Sequence, residues 1–151
     1  MIEGLLLGLQ TALSLKNMLM VIGGCIVGTF IGMLPGLGPM SIIAIMIPVA
    51  ISLGDPAAAL ILLAGGYYGA IFGGSTSSIL INAPGVASTV ATSFDGYPLT
   101  RQGKAGKALT IAAISSFAGG TLGAILLLFF APALASVALL FHSSEYFALM
   151  V

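Results

Sequence analysis

Residues 17–54 read NMLMVIGGCIVGTFIGMLPGLGPMSIIAIMIPVAISLG, 38 positions without one charged side chain. A helix crosses a bilayer core of roughly 30 Å with about 20 apolar residues. The stretch is therefore nearly twice too long for one straight crossing, and it carries its own interruption, Pro35-Gly36-Leu37-Gly38-Pro39. Two prolines and two glycines in five residues cannot continue an unbroken helix. Two readings of the interruption stand side by side. It is either a tight turn outside the membrane, or non-helical backbone at membrane depth. The latter is tolerated only inside protein or beside a water-filled cavity.

The rest of the chain repeats this pattern. Its eight charges are Glu3, Lys16, Asp55, Asp95, Arg101, Lys104, Lys107 and Glu145. They leave two further uncharged stretches, residues 56–94 and 108–144. The second stretch contains Gly73-Gly74-Ser75-Thr76-Ser77-Ser78 and then Pro84-Gly85, and the third contains Ala131-Pro132. Overall 59% of the 151 residues are hydrophobic and 5% are charged, with mean hydropathy +1.21. An ordinary soluble domain carries about 25% charge. Eight charges cannot cover the polar surface of a soluble fold, which excludes a cytosolic enzyme, a nucleic-acid binder with a basic face and a disordered tail.

The fold expected is all-α and polytopic. Spans are predicted near residues 17–34, 57–72 and 108–130, with a half-helix over 40–53, a broken segment over 75–94 and the start of another helix at 145. Residues 2–15 read as an interfacial helix or the beginning of a crossing. Residues 95–107 hold Arg101, Lys104 and Lys107 and read as a cytoplasmic loop by the positive-inside rule. Lys16 is weaker evidence for a cytoplasmic flank. With both inside, an even number of crossings separates them.

Glycine makes up 21 of the 151 residues. Gly24, Gly28, Gly32 and Gly36 recur every four residues, as do Gly65, Gly69 and Gly73, with a shorter pair at Gly119 and Gly123. Such ridges let membrane helices approach closely. Against this background two clusters stand out as candidate binding elements: Pro35, Gly36, Leu37, Gly38 and Pro39, and the polar run Ser75, Thr76, Ser77, Ser78 followed by Asn82. Hydroxyls and an amide can hold carboxylate oxygens or coordinate Na⁺ near Ser75, Thr76 and Asn82. They can equally cap a helix or bond back to their own backbone. No catalytic residue is assigned. Cys25 lies inside a span and reads as buried. His142, Ser143, Ser144 and Glu145 resemble a helix start rather than a catalytic group. Glu3 ahead of the first apolar run and Lys16 behind it do not have the charge order of a secretory signal. No metal site is assigned and no cofactor is expected, beyond a coupling ion, Na⁺ or H⁺.

Four segments in order carry a family resemblance: Gly32-Met33-Leu34-Pro35-Gly36-Leu37-Gly38-Pro39; Gly66-Tyr67-Tyr68-Gly69-Ala70; the run from Gly73 through Ser78 to Asn82-Ala83-Pro84-Gly85; and Asp95-Gly96-Tyr97-Pro98 with Arg101-Gln102-Gly103-Lys104-Ala105-Gly106. Together they resemble the large permease subunit of the tripartite tricarboxylate transporters, the TctA family. The resemblance implies a multi-pass bacterial inner-membrane permease for carboxylates such as citrate, driven by an ion gradient. Its implied partners are a small membrane subunit and a periplasmic solute-binding protein, besides the lipid bilayer, and no nucleic acid. It also implies inverted-repeat architecture, with Pro35 to Pro39, Ser75 to Ser78 and Asn82 forming the site. Members are considerably longer, so this chain is expected to be the N-terminal part. The competing readings are a non-transporting membrane scaffold, which needs only the glycine ridges, or an inactive fragment.

Overall fold

The computed structural model describes residues 2–138, together with Glu145 and Ala148. The described residues are helical with no strand: α1 (Ile2–Ala12), α2 (Leu15–Gly32), α3 (Pro39–Ser52), α4 (Pro56–Ile81), α5 (Val90–Arg101) and α6 (Ala105–Ala138), with a short 3-10 turn at Ala87–Thr89. The chain divides into two compact units, Met1–Ala113 and Ile114–Val151. Three helices, α2, α4 and most of α6, are long and apolar enough to cross a membrane.

In the first unit, α2 and α4 meet along their glycines. A Cβ placed on Gly65 would lie 2.6 Å from the carbonyl oxygen of Val21. One on Gly69 would run into Cys25 O, and one on Gly73 into Thr29 O. Reciprocally, Gly24, Gly28 and Gly32 face Leu62 O, Gly66 O and Ala70 O. Both series rise together, so α2 and α4 run parallel, backbone against backbone, with α3 returning between them in sequence. At such separations Cα–H groups reach the opposing carbonyls, and dispersion acts over the whole ridge. Helix α3 packs on another side of α4, with Ile42 and Met46 over Gly66. Ile42, Met46, Ala50, Leu62 and Ala70 form the buried apolar core.

Helix ends follow local chemistry. Ser14 caps α2, its Oγ accepting from Asn17 N–H at 3.4 Å. Asp55 caps α4, accepting from Ala57 N–H at 3.1 Å and Ala58 N–H at 3.3 Å, and pairs with Lys16 Nζ at 2.8 Å. The Lys16 hydrogen bond and the amide of Ala58 hold the Asp55 carboxyl below its ordinary value. Asn82 ends α4 in the left-handed region, φ 55° and ψ 34°, with its N–H returning to Ser77 O. Asn tolerates that conformation far better than a branched residue does.

Several boundaries differ from the sequence expectation. Helix α4 does not stop at residue 72 but continues to Ile81, straight through Gly73-Gly74 and the hydroxyl run. The glycines there serve the α2 contact rather than a break. The break in the 75–94 segment is confined to residues 82–86, ahead of the 3-10 turn. Pro48 and Pro132 lie within α3 and α6 without ending them. Helix α3 has 14 residues, about 21 Å at 1.5 Å per residue, too short for a 30 Å core. Residues 2–12 form a helix separate from α2. Of the 95–107 loop, α5 claims residues up to Arg101. Asp95-Gly96 is therefore helix, not loop, and Gly96 is small because Ile79 sits on it: a Cβ there would be 2.7 Å from Ile79 Cγ1. Cys25 is exposed rather than buried, since its backbone, not its thiol, faces Gly69. The expected helix start near Glu145 involves His142, Ser143 and Ser144, which lie outside the described residues.

One geometric consequence concerns the charges. Lys16 and Asp55 sit at the N-terminal end of α4. Thr100 Oγ1 donates to Ile79 O at 2.8 Å, which ties the end of α5 to the other end of α4. Asp55 and Ile79 are about 36 Å apart by helix rise. Lys16 and the Arg101, Lys104, Lys107 cluster therefore lie at opposite ends of α4. An even number of crossings between them does not fit this arrangement.

In the second unit, α6 continues from Ile114 uncharged up to Ala138 and with large apolar side chains exposed, among them Phe117, Leu122, Leu126, Phe129 and Phe130. Such a surface suits a lipid environment.

Neighbouring glycines of α2 should respond oppositely to the same change. Gly23 has open space at its Cβ position and Gly24 has Leu62 O. In thermal melts of detergent-solubilised protein, Gly23→Ala should be neutral or raise the melting temperature, by up to about 1 kcal/mol of helix propensity. Gly24→Ala should destabilise by about 1–3 kcal/mol, as overpacking does. At the end of α4, Asn82→Gly should melt like the parent. Asn82→Val should lose about 1–2 kcal/mol, the cost of the left-handed conformation.

Candidate substrate and ion site

The two interruptions found separately in the sequence meet in space. Beyond Asn82 the chain doubles back along α4. A Cβ on Gly85 would lie 2.9 Å from Gly32 O and 3.2 Å from Gly74 Cα, so three backbones touch where α2 ends. Val86 closes the cluster: its Cγ1 lies 2.9 Å from a Cβ on Gly38, and its Cγ2 lies 3.6 Å from one on Gly74. Pro35-Gly36-Leu37-Gly38-Pro39 and Asn82-Ala83-Pro84-Gly85 are thus stacked at one level of α4, just ahead of Ser75 to Ser78.

Within the first segment, Gly36 adopts φ +87°, and Leu37 N–H donates to Leu34 O at 3.1 Å, making a turn rather than helix. Pro35, Gly36 and Leu37 are exposed, and Gly38 and Pro39 are half-buried. Gly38 caps α3 through its backbone, its carbonyl accepting from Ser41 and Ile42 N–H. Pro39 has no N–H, so Met40 offers the one free amide in this first turn, a weak anion site by the usual standard of helix N-termini.

The hydroxyl run is buried, with Ser78 fully so. Ser75 Oγ donates to Ile71 O at 3.1 Å and Thr76 Oγ1 to Phe72 O at 3.0 Å. Ser77 and Ser78 Oγ both donate to Gly74 O, at 3.0 and 2.8 Å. The neighbours behave alike: Thr29 donates to Cys25 O, Thr89 to Val86 O and Ser93 to Val90 O. A carbonyl cannot donate, so each short contact fixes the hydroxyl hydrogen on the backbone. What each oxygen has left is acceptor capacity. Each oxygen can accept from water or contribute to a cation's coordination, but four consecutive helix positions face four directions, so they do not converge on one point. Asn82 is exposed, and its part in the structure is the left-handed helix stop.

Other sequence candidates lie elsewhere. Tyr67 and Tyr68 are exposed on α4 and meet edge to face, ring centroids 6.1 Å apart. An apolar cleft of about 380 Å³ opens between Ile47 and Ile51 of α3 and Ala59 and Leu63 of α4. It lies at the Asp55 end, away from the hydroxyls. The backbone meeting of Gly32, Gly74 and Gly85 was not foreseen. The four-residue glycine spacing pointed to Gly32, but nothing in the sequence pairs it with Gly85.

Comparison with known proteins agrees with the motifs. Residues 18–151 match the family described as Tripartite tricarboxylate transporter TctA family. Along its whole length the chain is 48% identical to an Agrobacterium vitis protein described as an uncharacterized 52.8 kDa protein in the TAR-I ttuC' 3' region, of which it spans 30%. No solved structure gives a significant match. With its described residues helical, three helices among them of membrane length, and a family match over residues 18–151, the chain belongs to the tripartite tricarboxylate transporter TctA family.

Proposed function

We propose that this chain forms part of a multi-pass bacterial inner-membrane permease that takes up tricarboxylates or related carboxylates on an ion gradient. It works with a small membrane subunit and a periplasmic solute-binding protein. Pro35 to Pro39, Ser75 to Ser78 and Asn82 frame the site. The observation that carries this reading is the spent hydroxyl hydrogens. Ser75, Thr76, Ser77 and Ser78 present acceptor oxygens, in a stretch of sequence, residues 56–94, without a charged side chain. Those oxygens suit a coupling cation, and Na⁺ fits better than H⁺ because no titratable side chain stands among them to carry a proton. The cation then supplies the positive charge that a carboxylate needs and that no Arg or Lys of α4 provides. The backbone turns at Pro35 to Pro39 and at Asn82 supply polar groups beside it, as broken helices do in secondary transporters.

The same reading orients the chain. The Lys16–Asp55 pair cancels its own charge, whereas Arg101, Lys104 and Lys107 outweigh Asp95 at the other end of α4. The basic end therefore faces the cytoplasm and α1 the periplasm.

Two measurements test these proposals. With the full-length permease and its partner subunits in liposomes, labelled citrate uptake should require an inward Na⁺ gradient. The Ser75→Ala/Thr76→Ala double variant should raise the Na⁺ concentration for half-maximal uptake about tenfold or more, equivalent to losing 1.4 kcal/mol of cation affinity. Absence of gradient-driven uptake for every di- and tricarboxylate tried overturns the transport reading. An unchanged Na⁺ dependence in the variant removes the hydroxyls from the ion site. For orientation, single cysteines on a Cys25→Ser background report sidedness in intact spheroplasts. A membrane-impermeant maleimide should label Leu13→Cys at once and Gln102→Cys only after permeabilisation. The reverse pattern overturns the orientation.

A further inference from the structure

The α5–α6 connection is only three residues long, yet its geometry is fully specified. Gly103 takes φ +75°. Its N–H donates to Thr100 O and the Lys104 N–H to Leu99 O, both at 2.9 Å, a Schellman ending for α5. Lys104 O then accepts from Lys107 N–H at 3.1 Å and Ala108 N–H at 3.2 Å, which makes Lys104 the cap of α6. Thr100 ties the assembly to α4 through Ile79 O. Arg101, Lys104 and Lys107 are consequently held on one short turn.

All three are exposed. Lys16 and Asp55 pair at the far end of α4, and among the described residues no carboxylate lies within ion-pair distance of Arg101, Lys104 or Lys107. Lys104 reaches only Gln102 Oε1, at 3.4 Å. Lys104 and Lys107 also occupy the positive end of the α6 dipole, where cations are disfavoured and anions are favoured. Local helix chemistry therefore works against two of the three charges, and nothing in the described chain compensates. Beyond them α6 carries no further charge among the described residues up to Ala138 and is apolar enough to cross a membrane, which sets the turn at the level where a bilayer's headgroups lie.

We propose that Arg101, Lys104 and Lys107 form a docking rim for the phosphate headgroups of anionic phospholipids. The chemistry is that of a phosphate monoanion met by guanidinium and ammonium donors, and the lipid is the source that also satisfies the apolar start of α6. The proposal rests on the membrane placement of α4 and α6, but not on transport or on which face is cytoplasmic.

The test uses the full-length permease equilibrated in vesicles of mixed phosphatidylglycerol and phosphatidylcholine. Lipid retained after mild extraction is counted by mass spectrometry. The parent should retain phosphatidylglycerol in excess over its vesicle share, and the excess should shrink as salt is raised. Arg101→Gln/Lys104→Gln/Lys107→Gln should lose it, by up to about fivefold for each cation removed. Lys104→Arg/Lys107→Arg should keep it, and Lys16→Gln should not change it. A triple variant that folds and retains the parental excess overturns the proposal. So does displacement of the bound phosphatidylglycerol by millimolar inorganic phosphate, which would assign the rim to the free ion. Both leaflets carry the anionic lipid, so the result stands apart from the labelling experiment on orientation.

Discussion

Everything in the first unit hangs on the contact between the backbones of α2 and α4. In lipid, apolar side chains gain nothing by leaving their solvent, so helices associate through close packing and polar contacts. Gly24, Gly28 and Gly32 on one helix and Gly65, Gly69 and Gly73 on the other clear a ridge of side chains, so that backbone meets backbone there. The carbonyls of Val21, Cys25 and Thr29 then come within reach of the opposing Cα hydrogens. A single methyl on this face would collide with backbone, which cannot rotate away as a side chain can.

The site inherits its position from that contact. Because α2 and α4 run parallel and in register, the end of α2 at Gly32 falls beside Gly74. The chain returning after Asn82 can then place Gly85 against both. The two interruptions are therefore stacked by the glycine ridge rather than by any attraction of their own. The hydroxyl run continues as regular helix, which decides its chemistry. A Ser or Thr inside a helix bonds its own upstream carbonyl and turns its lone pairs outward. A coupling cation, rather than the carboxylate itself, is the ligand that such oxygens suit.

The charges are arranged around the same axis. Lys16 and Asp55 neutralise each other at one end of α4, while Arg101, Lys104 and Lys107 crowd the other without a carboxylate partner among the described residues. The basic turn is rigid because Gly103 and the cap of α6 leave it no slack, and Thr100 fixes it to Ile79 O. Along α4 the two features are neighbours: the acceptor oxygens of Ser75 to Ser78 run up to Ile79, whose carbonyl holds the turn that carries the cationic donors.

From sequence alone one can read what depends on composition and local spacing. The scarcity of charge and the length of residues 17–54 require helices in lipid, the four-residue glycine period requires close helix contacts, and Pro35-Gly36-Leu37-Gly38-Pro39 requires a turn. The motifs also suffice to recognise the family. Other features were decided only by tertiary structure, because they depend on which neighbour a residue meets. Gly73-Gly74 looks like a break until α2 lies on it, Gly96 looks like loop until Ile79 covers it, and Ser75 to Ser78 look like donors until the helix takes their hydrogens. The same holds for Lys16 and Lys104, alike in sequence as basic flanks of apolar stretches. Only the parallel register of α2 and α4, with α3 between them in sequence, sends them to opposite ends of one long helix.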